Sequence, residues 1–265
     1  PYICLIKKVL MENDLIIENE FSYIENGDGK PIVILHGLMG GLSNFKGVYE
    51  EFPNNNYKVI MPELPIENVS ILNTNVKTFA KYVYDFVKFK KLKEIILVGN
   101  SLGGHVALLF TRDYPELVKG LIITGSSGLY EKSMIGDGYP KRSNYDYIKT
   151  KTEEVFYDPA IATKELVDEV FESVNNRGKV IKTLALAKSA IRHNMSEDLP
   201  KMNIQTAIIW GKQDFVTPPN VAKDFNSLLP NSELFWIDKC GHAPMMEHPD
   251  KFNEIMLGWL KKNNL

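Results

Sequence analysis

The sequence predicts an α/β fold: a mostly parallel central sheet, helices on both faces, and a helical cap inserted late in the sheet. Three observations carry this. Apolar, β-branched runs alternate along the chain with stretches of helical period. The run Pro31-Ile32-Val33-Ile34-Leu35 is apolar throughout rather than alternating, the pattern of a strand buried on both faces. The alternation then stops between Gly125 and Pro200, where helical patterns follow one another without a convincing strand.

Taken in order, residues 15–17 and 21–25 read as short strands around Glu18-Asn19-Glu20, a hairpin expected at the sheet edge. Asn26-Gly27-Asp28-Gly29 is a turn. The strand at 31–35 runs into the glycine-rich loop His36-Gly37-Leu38-Met39-Gly40-Gly41. Ser43 is expected to cap a helix that reaches about Phe52, closed by Pro53 and three asparagines. A strand at 57–61 and a loop at 62–69 precede a helix at 73–88, with Val76, Phe79, Ala80, Val83 and Val87 on one face. Strands are expected at 94–98 and 117–124, with a helix between them. Helical patterns lie near 145–156, 163–174 and 178–192. The sheet resumes at 203–210, a helix starts at Pro218-Pro219, and a last strand at 234–237 leads to a terminal helix over 249–261. Residues 1–125 and 200–265 thus form the core, and 126–199 a cap within the same domain.

Composition narrows the partners. With 31 Lys and Arg against 33 Asp and Glu, the formal charge of −2 offers no basic excess to neutralise a nucleic acid. The one basic cluster, Lys88-Phe89-Lys90-Lys91-Leu92-Lys93, reads as a helix C-terminus favouring cations. Two cysteines at opposite ends, Cys4 and Cys240, imply no disulfide framework, and a reducing compartment is expected. No apolar run has membrane-spanning length, and the first ten residues lack the order of a signal peptide, so the expected location is cytoplasmic.

The chemistry centres on Gly99-Asn100-Ser101-Leu102-Gly103-Gly104, between an apolar strand and a helical run. G-x-S-x-G in strand–turn–helix context is a nucleophile elbow. The turn is tight enough that side chains two before and two after the serine would collide, hence Gly99 and Gly103. Neither the G-x-G-x-x-G of a dinucleotide site nor the Gly-Lys-Ser/Thr of a phosphate loop is present. A serine hydroxyl needs a base within hydrogen-bond reach, and the base needs an orienting acid. In open α/β sheets such groups gather beyond the carboxyl ends of strands. Asp214 follows the strand ending at Trp210, and His242 follows the last strand in a Gly-His loop, so Ser101, Asp214 and His242 come in the chain order of an elbow-type hydrolase. Of the other histidines, His36 reads as structural, His105 as core, His193 as part of the cap and His248 as the start of the terminal helix. After the strand at 117–124 come Gly125, Ser126 and Ser127, with no carboxylate before Glu131, so Asp214 is the expected acid. Cys240, two residues before His242, has no second cysteine at zinc spacing and reads as a buried structural thiol.

These stretches, with Trp210-Gly211-Lys212-Gln213-Asp214 and Gly241-His242-Ala243-Pro244, resemble the α/β-hydrolase superfamily from about Asp14 onward. The resemblance implies that Ser101 attacks, His242 shuttles the proton, Asp214 orients it, and the backbone N–H groups of Leu38 and Leu102 form an oxyanion hole. Haloalkane dehalogenases and epoxide hydrolases of this fold carry aspartate at the elbow, so Ser101 argues against both. Gly-Asn-Ser-x-Gly-Gly is similar to the carbon–carbon bond hydrolases of aromatic catabolism. Those usually place an aromatic residue where this chain has Ala243, and the Gly-His-Ala-Pro stretch looks more like small carboxylesterases, monoacylglycerol-lipase-like enzymes and perhydrolases. The expected function is therefore hydrolysis of a small, mainly apolar carboxylic ester. Carbon–carbon bond hydrolysis and non-catalytic ligand sensing on the same fold are the alternatives. Met39, Tyr130, Met134, Val216 and Met245 are expected to line an apolar substrate pocket. No metal or organic cofactor is called for, and the expected partner is a small-molecule acyl substrate.

Overall fold

The computed structural model describes residues 14–38, 40–66, 68–130 and 141–265. Eight strands form one sheet: β1 (Ile16–Glu18), β2 (Phe21–Asn26), β3 (Lys30–Leu35), β4 (Tyr57–Pro62), β5 (Ile95–Asn100), β6 (Val118–Thr124), β7 (Thr206–Gly211) and β8 (Ser232–Ile237). Their order across the sheet is β1-β2-β4-β3-β5-β6-β7-β8. The first two strands are an antiparallel hairpin at one edge, and β2 also meets β4 antiparallel; every other pairing is parallel. From β3 the chain steps outward to β4, then crosses back to place β5 on the other side of β3. That reversal opens a crevice beyond the carboxyl ends of β3 and β5, where a doubly wound sheet binds its ligands.

The period-two alternation of the strands sorts side chains into two cores. Val33, Leu35, Leu97, Ile123, Ile208 and Trp210 face one layer, which is covered by α2 (Val76–Phe89), α3 (Leu102–Asp113) and α7 (Pro219–Leu228). Ile32, Ile34, Ile96, Val98, Ile122 and Ile209 face the other, covered by α1 (Lys46–Glu51) and α9 (Pro249–Lys262). Burial of each such aliphatic side chain is worth about 1.5–3 kcal/mol. This explains why β3, β5 and β7 read as unbroken apolar runs.

Between β6 and β7 the described residues contain no strand. They form α4 (Tyr145–Glu153), α5 (Lys164–Asn175) and α6 (Arg177–Arg192). Each opens on a side-chain cap: Asn144, Thr163 and Asn176 accept from the backbone N–H three residues on. Asn75 does the same for α2, so that helix starts at Val76, three residues later than the apolar pattern implies. Ser43 departs from expectation. It lies inside a 3₁₀ turn, Leu42–Phe45, whose N-cap is Gly41, and neither that turn nor α1 has a side-chain cap. Its own carbonyl accepts from Lys46, which commits the residue to the turn interior. Lys90, in the basic cluster after α2, does more than favour the helix end: its Nζ lies 3.0 Å from Glu25 Oε2 on β2 and 2.9 Å from the Tyr23 hydroxyl. Among the described residues no helix is long and apolar enough to cross a membrane.

Packing is very close between the first turn of α3 and the ends of β3 and β5. A Cβ added at Gly103 would stand 2.1 Å from the Leu35 carbonyl oxygen, and one at Gly99 2.4 Å from the Gly103 carbonyl oxygen. Gly103→Ala should therefore lose more than about 3 kcal/mol of stability, because the clash is with backbone that cannot yield. Gly258, on the exposed side of α9, has nothing within 4 Å of such a Cβ, and Gly258→Ala should gain about 0.5–1 kcal/mol. Urea unfolding of the two variants beside the parent checks both signs.

Candidate active site

Ser101 joins β5 to α3 with φ 54° and ψ −119°. A non-glycine residue there costs about 1–3 kcal/mol and persists only where its surroundings hold it. They do. Its N–H donates to the Thr124 carbonyl at the end of β6 (3.1 Å), and its carbonyl accepts from His105 N–H (3.2 Å), Ser127 N–H (3.2 Å) and Ser127 Oγ (3.3 Å). The residue is half-buried between buried Asn100 and Leu102, and its hydroxyl has no hydrogen-bond partner among the described residues. Asn100 Nδ2 donates to the Thr124 carbonyl (3.0 Å) and to the His242 carbonyl (3.2 Å). The serine turn is thus tied directly to the loop that carries the histidine.

Asp214 and His242 meet as expected. His242 Nδ1 stands 2.9 Å from Asp214 Oδ2, both residues being buried. The carboxylate also accepts from Thr217 Oγ1 at Oδ2 (2.8 Å) and from the Val216 and Thr217 N–H groups at Oδ1 (2.8 and 2.9 Å). Thr217 Oγ1 lies 3.2 Å from His242 Nδ1 as well. With its proton given to Asp214, Thr217 leaves Nδ1–H of the imidazole to donate to the same carboxylate. That assignment makes Nε2 the free lone pair. Fully buried Trp210 steadies this turn from β7, its Nε1–H donating to the Thr217 carbonyl (2.9 Å).

His36 is structural. Nδ1 lies 2.8 Å from the Gly37 carbonyl, and Nε2 accepts from Leu64 N–H at 3.0 Å, pinning the glycine-rich loop to the loop after β4. Burial holds it below the usual histidine range, in keeping with a neutral ring. A Cβ added at Gly37 would lie 3.3 Å from Ser101 Cβ, so the loop holding Leu38 abuts the serine. Leu102 is the first residue of α3, where the backbone N–H has no partner within the helix. Val216 is half-buried beside Asp214, Tyr130 is 46% exposed, and Met245, 2% exposed, packs into the core beneath the His242 loop. Met39 and Met134 lie outside the described residues, as does Cys4. Burial first, and then the nearby Glu247 carboxylate, push the Cys240 thiol up, so it is no nucleophile near neutral pH.

The sequence alone does not mark Asn100, Ser127 or Thr217 as part of the site. Asn100 stands within the elbow motif and Thr217 three residues after the expected acid, but their roles are contacts with segments distant in the chain. For Ser127 the sequence carries no comparable signal.

The scan against family models matches residues 30–155 and 174–249 to the alpha/beta hydrolase fold. The chain belongs to this family. Among solved structures, an alpha/beta hydrolase enzyme from the metagenome of sediments of the Mar Chica lagoon, Morocco, is 53% identical, with a TM-score of 0.80 over 95% of this chain and 99% of that one. Among curated proteins, a 2-hydroxy-6-oxononadienedioate/2-hydroxy-6-oxononatrienedioate hydrolase of Pseudomonas sp is 27% identical over 89% of each chain. Lipase 1 of Psychrobacter immobilis is 26% identical over 88% of this chain and 78% of its own. This alpha/beta hydrolase therefore has both lipase and carbon–carbon hydrolase relatives, and the enzyme class follows from the family.

His105, one turn past Ser101, is fully buried; Nε2–H donates to the His193 carbonyl (2.9 Å), while Nδ1 has no partner among the described residues. Burial, which outweighs that hydrogen bond, lowers its pKa from 6.5 to about 4. The unfolded chain takes up this proton first, so the contribution to stability is full above pH 6.5 and shrinks as pH falls toward 4. Between pH 7 and pH 5 the loss should be about 2 kcal/mol. Urea unfolding at those two pH values should show that much less slope in His105→Gln; equal slopes would contradict it.

Proposed function

We propose that this alpha/beta hydrolase is a serine hydrolase of small, mainly apolar carboxylic esters, acting in the cytoplasm through an acyl-enzyme on Ser101. The observation that supports it most is the buried Asp214–His242 pair. Every donor around the carboxylate is arranged so that Nδ1 of the imidazole faces the acid and Nε2 stays free as a base. In this reading the substrate carbonyl settles against the N–H groups of Leu38 and Leu102. Ser101 Oγ attacks the carbonyl carbon as its proton passes to His242 Nε2, and Asp214 stabilises the imidazolium. Each oxyanion donor is worth about 3 kcal/mol in such a site. Collapse of the tetrahedral intermediate breaks the C–O bond, and the departing alkoxide takes the proton from Nε2. Water, deprotonated by the same nitrogen, then releases the acid. The Oγ–Nε2 contact forms on substrate entry, since catalytic hydrogen bonds tighten in the Michaelis complex.

The helical insertion serves as a cap over this site. A cavity of about 390 Å³ lies between the insertion and the core, bordered by Leu38, Leu64 and Val170 on apolar stretches and by Glu169, Lys179 and Lys182 on charged ones. It adjoins the oxyanion loop and is where one arm of the ester would rest.

The Pseudomonas relative and the Gly-Asn-Ser-x-Gly-Gly stretch favour carbon–carbon hydrolysis as the second reading. Against it stands Ala243, where the carbon–carbon hydrolases usually place an aromatic residue; charge does not decide, since Arg177 and Arg192 of the insertion are exposed while Lys179 and Lys182 line the cavity.

Turnover of a short-to-long acyl nitrophenyl ester series, beside a vinylogous diketone ring-fission product, separates the two. The ester reading expects ester turnover, falling at least about 10⁴-fold in Ser101→Ala and by a comparable factor in Asp214→Asn. Diketone cleavage without ester turnover would establish the second reading instead. Undiminished ester turnover in Ser101→Ala would refute both.

A further inference from the structure

The His242 loop is held from two sides. From the core, Asn100 Nδ2 donates to the His242 carbonyl (3.2 Å). From the helical insertion, the Val155 carbonyl accepts the His242 N–H (2.8 Å). One residue joins the two segments a second time. Glu247, the last residue of the short helix α8 (Pro244–Glu247), accepts the Gly241 N–H at Oε2 and the Asp158 N–H at Oε1, each at 2.7 Å. Such short bonds from backbone N–H to a carboxylate are about twice as strong as neutral ones. The two backbones are in direct contact here. A Cβ on Gly241 would lie 2.4 Å from the Val155 carbonyl oxygen and 2.8 Å from Phe156 Cα. Phe156 is itself buried in the core cluster that contains Cys240, Ala243 and Met245. Residues 155–158 are therefore a strap lying on the histidine loop.

We propose that Glu247 is a positioning residue that makes the helical insertion and the His242 loop move as one body, so that closure of the insertion over substrate brings the imidazole to Ser101. This rests on the reading of His242 as the base. Glu247 acts through the main chain of Gly241 and the strap. Two features call for such a device. The Ser101 hydroxyl has no partner among the described residues, so the imidazole must still be brought into register. The N–H of the histidine itself is bound to the insertion rather than to the core. A displacement of the strap is transmitted through His242 N–H and Gly241 N–H to the ring, and a misplacement of about 1 Å in a reacting group costs on the order of 100-fold in rate.

The test is steady-state ester kinetics on the full chain, with melting temperature recorded for each variant. Glu247→Ala should lower kcat about 10- to 100-fold with KM nearly unchanged. Glu247→Gln, which keeps one acceptor oxygen, should recover part of the loss. A second variant approaches from the other partner. Asp158 has φ −92°, a little beyond the range proline prefers, so the melting temperature of Asp158→Pro is the control for local strain; its side chain caps the N–H of Ala160. Asp158→Pro removes the N–H that Glu247 accepts, whereas Asp158→Ala removes only the cap. Asp158→Pro should be slower than Asp158→Ala in the parent and equal to it in a Glu247→Ala background. In a His242→Ala background Glu247→Ala should have no effect on the residual rate. A lowered melting temperature with unchanged kcat in Glu247→Ala would make the residue merely structural and overturn the proposal, as would additive effects of Asp158→Pro and Glu247→Ala. Full turnover in His242→Ala would instead refute the reading on which it rests.

Discussion

The structure depends on one close approach, that of the first turn of α3 to the carboxyl ends of β3 and β5. No side chain fits between them: Gly99 and Gly103 meet backbone to backbone, and the Leu35 carbonyl fills the space a Cβ would need. The serine at the apex is consequently forced into the left-handed region, and the rest of the neighbourhood is organised to keep it there. β6 supplies the acceptor for its N–H, while Ser127 and the next helical turn supply the donors for its carbonyl. Strain at this one residue is sustained because several elements over-determine it. The same arrangement puts the hydroxyl at the switch point between β3 and β5.

Opposite the serine, a second assembly fixes the histidine ring. The carboxylate of Asp214 is filled by donors from its own turn, which leaves it one direction in which to accept the imidazole. That turn hangs from the buried Trp210 through the Thr217 carbonyl. The histidine main chain, by contrast, is shared between core and insertion. Ring orientation is thus a property of the sheet, and ring position a property of the strap.

Much of this was legible in the sequence because it is local. Strands buried on both faces announce themselves as continuous apolar runs. The elbow glycines are a steric requirement within six residues, and the order of Ser101, Asp214 and His242 follows from residues placed just past strand ends. What was not legible is non-local or made of backbone. Asn100 reads as an ordinary turn residue until β6 and the His242 loop are brought beside it. Glu247 lies five residues past His242 on a short helix, and its bridge to the insertion exists only where Asp158, 89 positions earlier, comes to meet it. Ser43 shows the converse failure: a residue with the right chemistry for a cap was committed to a 3₁₀ turn by the glycine before it. Met245 had the right chemistry for a pocket, but the core beneath the loop takes it. Neither outcome can be read from composition or spacing.

The central claim is that Ser101 is a nucleophile activated by the buried Asp214–His242 pair. Intact mass after incubation with a fluorophosphonate tests it most directly. The account predicts a single adduct, formed by displacement of fluoride by Ser101 Oγ, mapped to the elbow peptide, absent from Ser101→Ala and strongly slowed in His242→Ala. An adduct that forms at the parent rate in either variant, or ester turnover in a parent protein that takes up no phosphonate, would contradict it.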